Sequence, residues 1–301
     1  MLSKELIKGE NTAEGDFMSI EIVTDSTSDI SQEEAKELKI QVVPLGVNFG
    51  EEQFLDGINI NGEKFYARLV DGKTFPKTSQ PAPASFAKIF REAMNKGDEV
   101  LYLGCSSGLS GTFNAARLAK DEVGYSKVYV FDSLTSIQGL YLMVHCLAKK
   151  RDEGASKDEL ISEASYISNH LKIVSAIDTL SYLRKGGRLS LAASMIGNLI
   201  SLKAMVDLNK EGKIRVYGKC IGLRMAMKLM LLEVKHSLPD DRYPFSFGYT
   251  DKPDNMKEFK DKVMAEFPKY SLYMSQIGPA IGSHIGPGGF DLAFVSEKER
   301  K

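Results

Sequence analysis

From residue 20 to residue 131, short apolar runs alternate with helical stretches, and that alternation restricts the first half of the chain to a parallel sheet covered by helices. Segments 20–23, 40–43, 99–103 and 127–131 have the length and apolar content of buried strands. Between them, Ser31 caps a Gln-Glu-Glu-Ala-Lys-Glu-Leu helix start, Asn61 opens a helix around 63–70, and 83–95 is an amphipathic helix closed by Gly97. A further helix runs from about Thr112 to Glu122, and two more, 136–153 and 156–170, lead out of the sheet.

The second half has another grammar. A strand at 172–177 precedes a basic glycine turn, Arg184-Lys185-Gly186-Gly187-Arg188, and an apolar helix at 191–200. Segments 203–208 and 213–217 flank Asn209-Lys210-Glu211-Gly212 as a hairpin. A helix at 223–236, strands near 245–249, 272–276 and 292–295, and a helix at 255–267 predict a mixed sheet with helices on one face. The expectation is an α/β chain of two domains: an N-terminal parallel-sheet α/β/α domain over 18–171 and a C-terminal mixed-sheet α/β domain over 172–301, since 301 residues exceed what one core usually serves. Residues 1–17 are polar and read as a disordered extension or an expression remnant, with Met18 a candidate natural start.

Charge and cysteine usage exclude several classes. With 39 basic against 40 acidic residues there is no general nucleic-acid surface and at most transient contact with a membrane surface. Cys105, Cys146 and Cys220 are far apart and odd in number, which fits reduced thiols and a cytoplasmic protein. The four histidines show no ligand spacing, so no metal site is expected. The most apolar segments, 139–148 and 189–206, are respectively too short to span a bilayer and interrupted by Asn198 and Lys203.

Chemistry concentrates where strand 99–103 breaks into Gly104-Cys105-Ser106-Ser107-Gly108-Leu109-Ser110-Gly111-Thr112. Free backbone N–H groups, hydroxyls and a helix start converge there as an anion cradle. Thr78 and Ser79, ahead of Pro81, read either as a helix cap and tight turn or as a second hydroxyl-rich loop at the same sheet edge. Asp25 and Asp29 flank Ser26, Thr27 and Ser28 at the end of the first strand. They could suggest a metal or an acid–base pair, but further ligands are lacking and Asp29 suits a cap. His284 stands in a glycine-rich loop, 282–289, that permits close approach. Arg184, Lys185 and Arg188 form a phosphate-binding loop or a solvated turn, and the spacing is not a P-loop. A rival reading is a serine hydrolase, because Gly104–Gly108 matches G-x-S-x-G and Ser106, Asp178 and His284 follow in triad order. Helical patterning, however, resumes only after Ser110, later than a nucleophile elbow requires.

Val23-Thr24-Asp25-Ser26-Thr27-Ser28-Asp29, Lys77-Thr78-Ser79-Gln80-Pro81, Ser106 to Thr112, Asp178-Thr179-Leu180 with Lys185-Gly186-Gly187-Arg188, and Ile277 to Gly288 occur in the order of the DegV family, which the chain resembles from about residue 20 to 295. The resemblance implies a two-domain protein that binds a long-chain fatty acid between its domains, often as the FakB-type subunit of a bacterial fatty acid kinase. It implies that Thr78 and Ser110 hold the carboxylate, that His284 lies over it, and that Ser26, Thr27, Ser79, Ser107, Gly111, Gly282 and Ser283 support the site. It suggests a structural or partner-docking role for the Lys-Gly-Gly-Arg signature. Helices 140–147 and 191–200, with Met143 and Met195, would wall the acyl tail. No Walker loop or kinase signature is present, so ATP and metal for acyl phosphate formation would come from a partner kinase, and this chain would carry no cofactor besides its lipid. Ile221 stands where the family often has arginine, leaving Arg188, Lys219 and Arg224 as candidate docking cations.

Overall fold

The structure, a computed structural model, describes residues 19–72, 74–189 and 202–300. The expected helix at 191–200, Met195 and the segment 1–17 lie outside the described residues. The first half runs β1 (Ile20–Asp25), α1 (Gln32–Glu37), β2 (Ile40–Val43), β3 (Gly46–Phe49), β4 (Glu52–Leu55), α2 (Gly62–Asp71), β5 (Lys77–Ser79), α3 (Pro83–Lys96), β6 (Glu99–Gly104), α4 (Thr112–Val123), β7 (Val128–Asp132), α5 (Ile137–Asp152) and α6 (Lys157–His170). Local chemistry sets several of these limits. Ser31 with Glu34 and Ser156 with Glu159 form capping boxes at α1 and α6, and Gly97 and Gly124 close α3 and α4 in the left-handed conformation.

The four expected strands form a parallel sheet of order β2-β1-β6-β7, with Ile22 opposite both Ile40 and Leu101. Chain order runs outward from β1 to β2 and then resumes on the other side at β6. The carboxyl ends of β1 and β6 therefore border a topological switch point, where open parallel sheets form a crevice.

A second, antiparallel sheet of order β4-β3-β5 was not legible in the sequence. Its strands have three or four residues and mixed polarity, too short for alternation to register. Thr78 consequently lies in a strand, opposite Val47, and caps nothing; the N-cap of α3 is Ala82.

The second half comprises β8 (Leu171–Ile177), α7 (Ser181–Lys185), β9 (Leu202–Leu208), β10 (Ile214–Ile221), α8 (Leu223–Ser237), β11 (Phe245–Tyr249), α9 (Asp254–Glu266), β12 (Leu272–Gln276), α10 (Pro279–Ile285) and β13 (Phe290–Val295). Its sheet has the order β10-β9-β8-β13-β11-β12, parallel only between β11 and β12. Helices α8 and α9 bury Met230, Val234, Phe259 and Val263 against Phe245, Phe247, Phe290 and Phe294 on one face.

The other face is covered by α5, which belongs to the first half. Residues 137–144 are all buried, as a helix apolar around its circumference must be. Leu140, Val144 and Leu147 share a core with Ile22, Leu101 and Leu103 of the parallel sheet and with Ala293 and Val295 of the mixed sheet. Buried Gln138 donates to Ser275 (2.7 Å) and accepts from Ser246 (2.6 Å), fixing α5 to the second sheet. This helix therefore fuses the parallel-sheet and mixed-sheet domains, and 140–147 with Met143 is core, not the acyl wall expected from its composition.

Candidate functional site

At the switch point, Asp25 ends β1 with its carboxylate fully enclosed. It accepts from the Thr27 backbone (3.0 Å) and hydroxyl (2.6 Å), from the Tyr102 hydroxyl (2.7 Å) and from the Cys105 amide (2.9 Å). Burial pushes its pKa up while these donors oppose the rise. With both oxygens committed, Asp25 ties the loop after β1 to the loop after β6 and has no ligand role.

A cavity of about 810 Å³, counted to its open mouth, lies over these loops between the two domains. Its body is largely aliphatic, from Ile173 and Ile177 on β8, Val206 and Leu208 on β9, Ile214 on β10 and Ile285 on α10, with Ser175 and Asp207 among them. Its polar end gathers Thr27, Thr78, Ser110, Arg188 and His284. Thr78 Oγ1 and His284 Nε2 are 2.9 Å apart although 206 positions separate them. Ser110 Oγ contacts Thr112 Oγ1 (2.8 Å) and accepts from the Thr112 amide (3.3 Å), which places the hydroxyl at the start of α4 as expected.

His284 is on the last turn of α10, not in a loop; the loop begins at Gly286. Burial, reinforced by Arg188, pushes its pKa down to about 4, so the ring is neutral near neutral pH. Its Nδ1 is buried without a partner. A Cβ on Gly186 would stand 2.1 Å from that atom, so Gly186 is required for the ring to sit where it does. Arg188 then folds back, donating to Gly186 O (2.7 Å) and Leu109 O (3.3 Å). The Lys-Gly-Gly-Arg signature thus builds the cavity: Arg188, expected among docking cations, faces the site. Lys219 and Arg224 are exposed, as is Ile221.

The other expected residues separate into supports and bystanders. Ser26 accepts from the Leu45 amide (3.0 Å), and Ser283 donates to Pro279 O within its own helix (2.8 Å). Gly111 and Gly282 permit close packing: a Cβ would meet Gln80 Oε1 at 1.9 Å and Tyr66 Oη at 2.5 Å respectively. Ser79 and Ser107 are exposed and outside the cavity lining. The hydrolase triad does not assemble. Ser106 donates to Gly212 O (2.9 Å), Asp178 pairs with Lys203 (2.5 Å), and His284 is engaged by Thr78. Sequence reasoning missed Cys105, which lines the cavity with its thiol pushed far up by burial, and Asp56.

The family model described as "Uncharacterised protein, DegV family COG1307" matches residues 19–297. The chain belongs to the DegV family. A DegV domain-containing protein of Caldanaerobacter subterraneus subsp. tengcongensis is 32% identical over 276 residues, 91% of this chain and 98% of that relative. Among solved structures, a DegV family protein from Thermus thermophilus, described for its fatty acid binding, is 30% identical with a TM-score of 0.85, covering 93% of this chain and 100% of the other. DegV of Bacillus subtilis, described as a fatty acid binding protein, is 27% identical with a TM-score of 0.82 over the same shares.

In this DegV chain, α10 is gripped from the first half. Asp29 accepts from the Gly278 amide (2.9 Å) and Asp56 from the Ala280 amide (3.1 Å), so two N-terminal-domain carboxylates hold the helix that carries His284. Tyr66 adds a hydrogen bond to Ile277 O (2.9 Å). Burial pushes Asp56 up to about 7 and Asp29 well above the ordinary carboxylate range, with mutual repulsion adding to the latter. Among the described residues no helix is long and apolar enough to cross a membrane.

Proposed function

We propose that this protein binds a long-chain fatty acid in the interdomain cavity and presents its carboxylate to a partner kinase. The carrying observation is the meeting of Thr78 and His284 (2.9 Å), with Ser110 and Arg188, at one end of a cavity whose walls are mostly apolar. The neutral imidazole donates from Nε2 to Thr78 Oγ1, which leaves the threonine proton free to point at a carboxylate oxygen. Ser110 donates to the same anion. Arg188 adds positive charge while its backbone hydrogen bonds keep it from pairing the acid completely. The two relatives described as fatty acid binding proteins support this reading.

The chain supplies no nucleotide-binding loop, so the kinase brings ATP and metal. A carboxylate oxygen attacks the γ-phosphorus, ADP leaves, and the acyl phosphate remains. The protein's share is to sequester the tail and aim the oxygen.

Lipid extracted from the purified protein should contain a long-chain fatty acid by mass spectrometry. Thr78→Val and Ser110→Ala should each weaken its binding by about 1–3 kcal/mol, roughly 5- to 150-fold, because a charged acceptor loses a donor in a water-poor site. Unchanged affinity in both variants, measured by titration with a labelled fatty acid, would remove the carboxylate assignment. For the kinase step, Ile221 is 77% exposed beside Lys219 and Arg224, so Ile221→Arg should raise acyl phosphate production with a DegV-partner kinase without altering lipid affinity. Equal production by both proteins would exclude that surface from docking.

A further inference from the structure

The cavity has a defined far end. Ile177, Ser175 and Ile173 all face it from β8, and Ile177 lies at the His284 end, beside Ile285. Four residues of strand then carry the cavity about 13 Å to Ile173. There the sheet opens. β8 pairs with β9 over Ser175, Ala176 and Ile177, opposite Val206, Met205 and Ala204, and the register goes no further toward Leu171. The splayed strands leave a second space, about 540 Å³ with its open side included, that shares Ile173, Asp207 and Leu208 with the first.

Arg300 stands in that gap. Its Nε donates to Leu208 O (3.3 Å) at the end of β9, its Nη2 to Leu134 O (3.0 Å) ahead of α5, and its backbone N to Asn169 O (2.6 Å). The segment leading to it is pinned, with Ser296 N bonded to His170 O and Glu297 N to Leu238 O. One guanidinium therefore satisfies two carbonyls that strand pairing leaves open, one from each domain. Its Nη1 is buried without a partner, while Asp207 and Glu211 attract the charge.

We infer that Arg300 is the end-stop of the acyl chain, closing the cavity by bridging Leu208 and Leu134 and so setting the longest fatty acid accepted. This inference rests on the fatty acid reading above. A chain ending short of the bridge meets Ile173 and Leu208, with Asp207 on the same wall. A longer one must break two hydrogen bonds of a buried cation, which makes the limit a step instead of a gradual decline. The guanidinium itself lines the second space, behind the shared wall of Ile173, Asp207 and Leu208, so a longer tail meets it on passing that wall.

The test is a titration of the delipidated full-length protein with straight-chain saturated fatty acids of increasing length. The wild type should show a fall of about tenfold or more on passing its limit by two carbons. In Arg300→Ala that fall should move to chains at least two carbons longer, with affinity for shorter chains unchanged. Arg300→Lys, which keeps the charge but cannot span both carbonyls, should move it the same way, and thermal melting identifies any variant that fails to fold. Failure of every chain length to bind the wild type would overturn the fatty acid reading itself. Binding with the same length profile in the wild type and in whichever variant folds would overturn the end-stop alone.

Discussion

Asp56→Asn should stabilise the protein by about 2–4 kcal/mol at about pH 8 and flatten its loss of stability between about pH 4 and 7. Asp56 is 3% exposed, and burial lifts its pKa from 3.8 to about 7 against the hydrogen bonds from Ala280 and Ser26. The unfolded chain releases this proton near 3.8 and the folded chain near 7. Between those values the folded state holds the extra proton, so the stability associated with it is complete below the lower value and is lost as pH rises through the upper one. Asp291, raised to about 8, Asp25 and Asp29 slope in the same direction. Asparagine keeps an acceptor for the Ala280 amide and carries no charge to bury. Urea denaturation of both proteins at about pH 5 and 8 measures the effect, and parallel pH slopes would show that the fold does not raise the pKa of Asp56.

Gly286→Ala should cost about 3–5 kcal/mol and reduce fatty acid affinity at least tenfold. Gly286 has φ 76° and ψ −177°, a combination essentially confined to glycine. An added Cβ would also lie 2.3 Å from Cδ2 of Tyr182, and that ring cannot simply withdraw because it stacks on Phe75 at 5.7 Å. Relief of the clash must move α10 against α7, and His284 is two residues away. The two sources of damage are separable. Tyr182→Ala in the Gly286→Ala background should restore the steric part and leave the backbone part, so the double variant should be less unstable than additivity predicts. Strict additivity in thermal or urea unfolding would mean that Tyr182 plays no part.

The two halves differed in how much of their function could be read in advance. Ser110 at the start of α4 was legible because strand, glycine turn and helix start follow one another within about a dozen residues, and hydrogen bonding there is local. Thr78 was ambiguous: three residues of β5 carry no alternation, and only pairing with Val47 distinguishes a strand from a cap. Arg188 looked like a solvated turn because nothing local shows that Gly186 makes room for a histidine nearly a hundred positions later. Helix 140–147 looked like an acyl wall because a lipid and a protein core select the same side chains.

Length, charge balance and the alternation of strands with helices were sufficient by themselves to determine an α/β chain with a parallel first sheet, a mixed second one and a hydroxyl-lined crevice at the strand ends, since each of those signals depends on neighbours within a few residues. The tertiary structure alone decided that α5 is shared by both sheets, that Asp29 and Asp56 grip the helix bearing His284, that Arg188 faces inward, and that Arg300 stands in the gap between β8 and β9. Those contacts join residues some 80 to 250 positions apart. They follow from how two sheets pack on one helix, a free energy summed over the whole core that no local window of sequence contains.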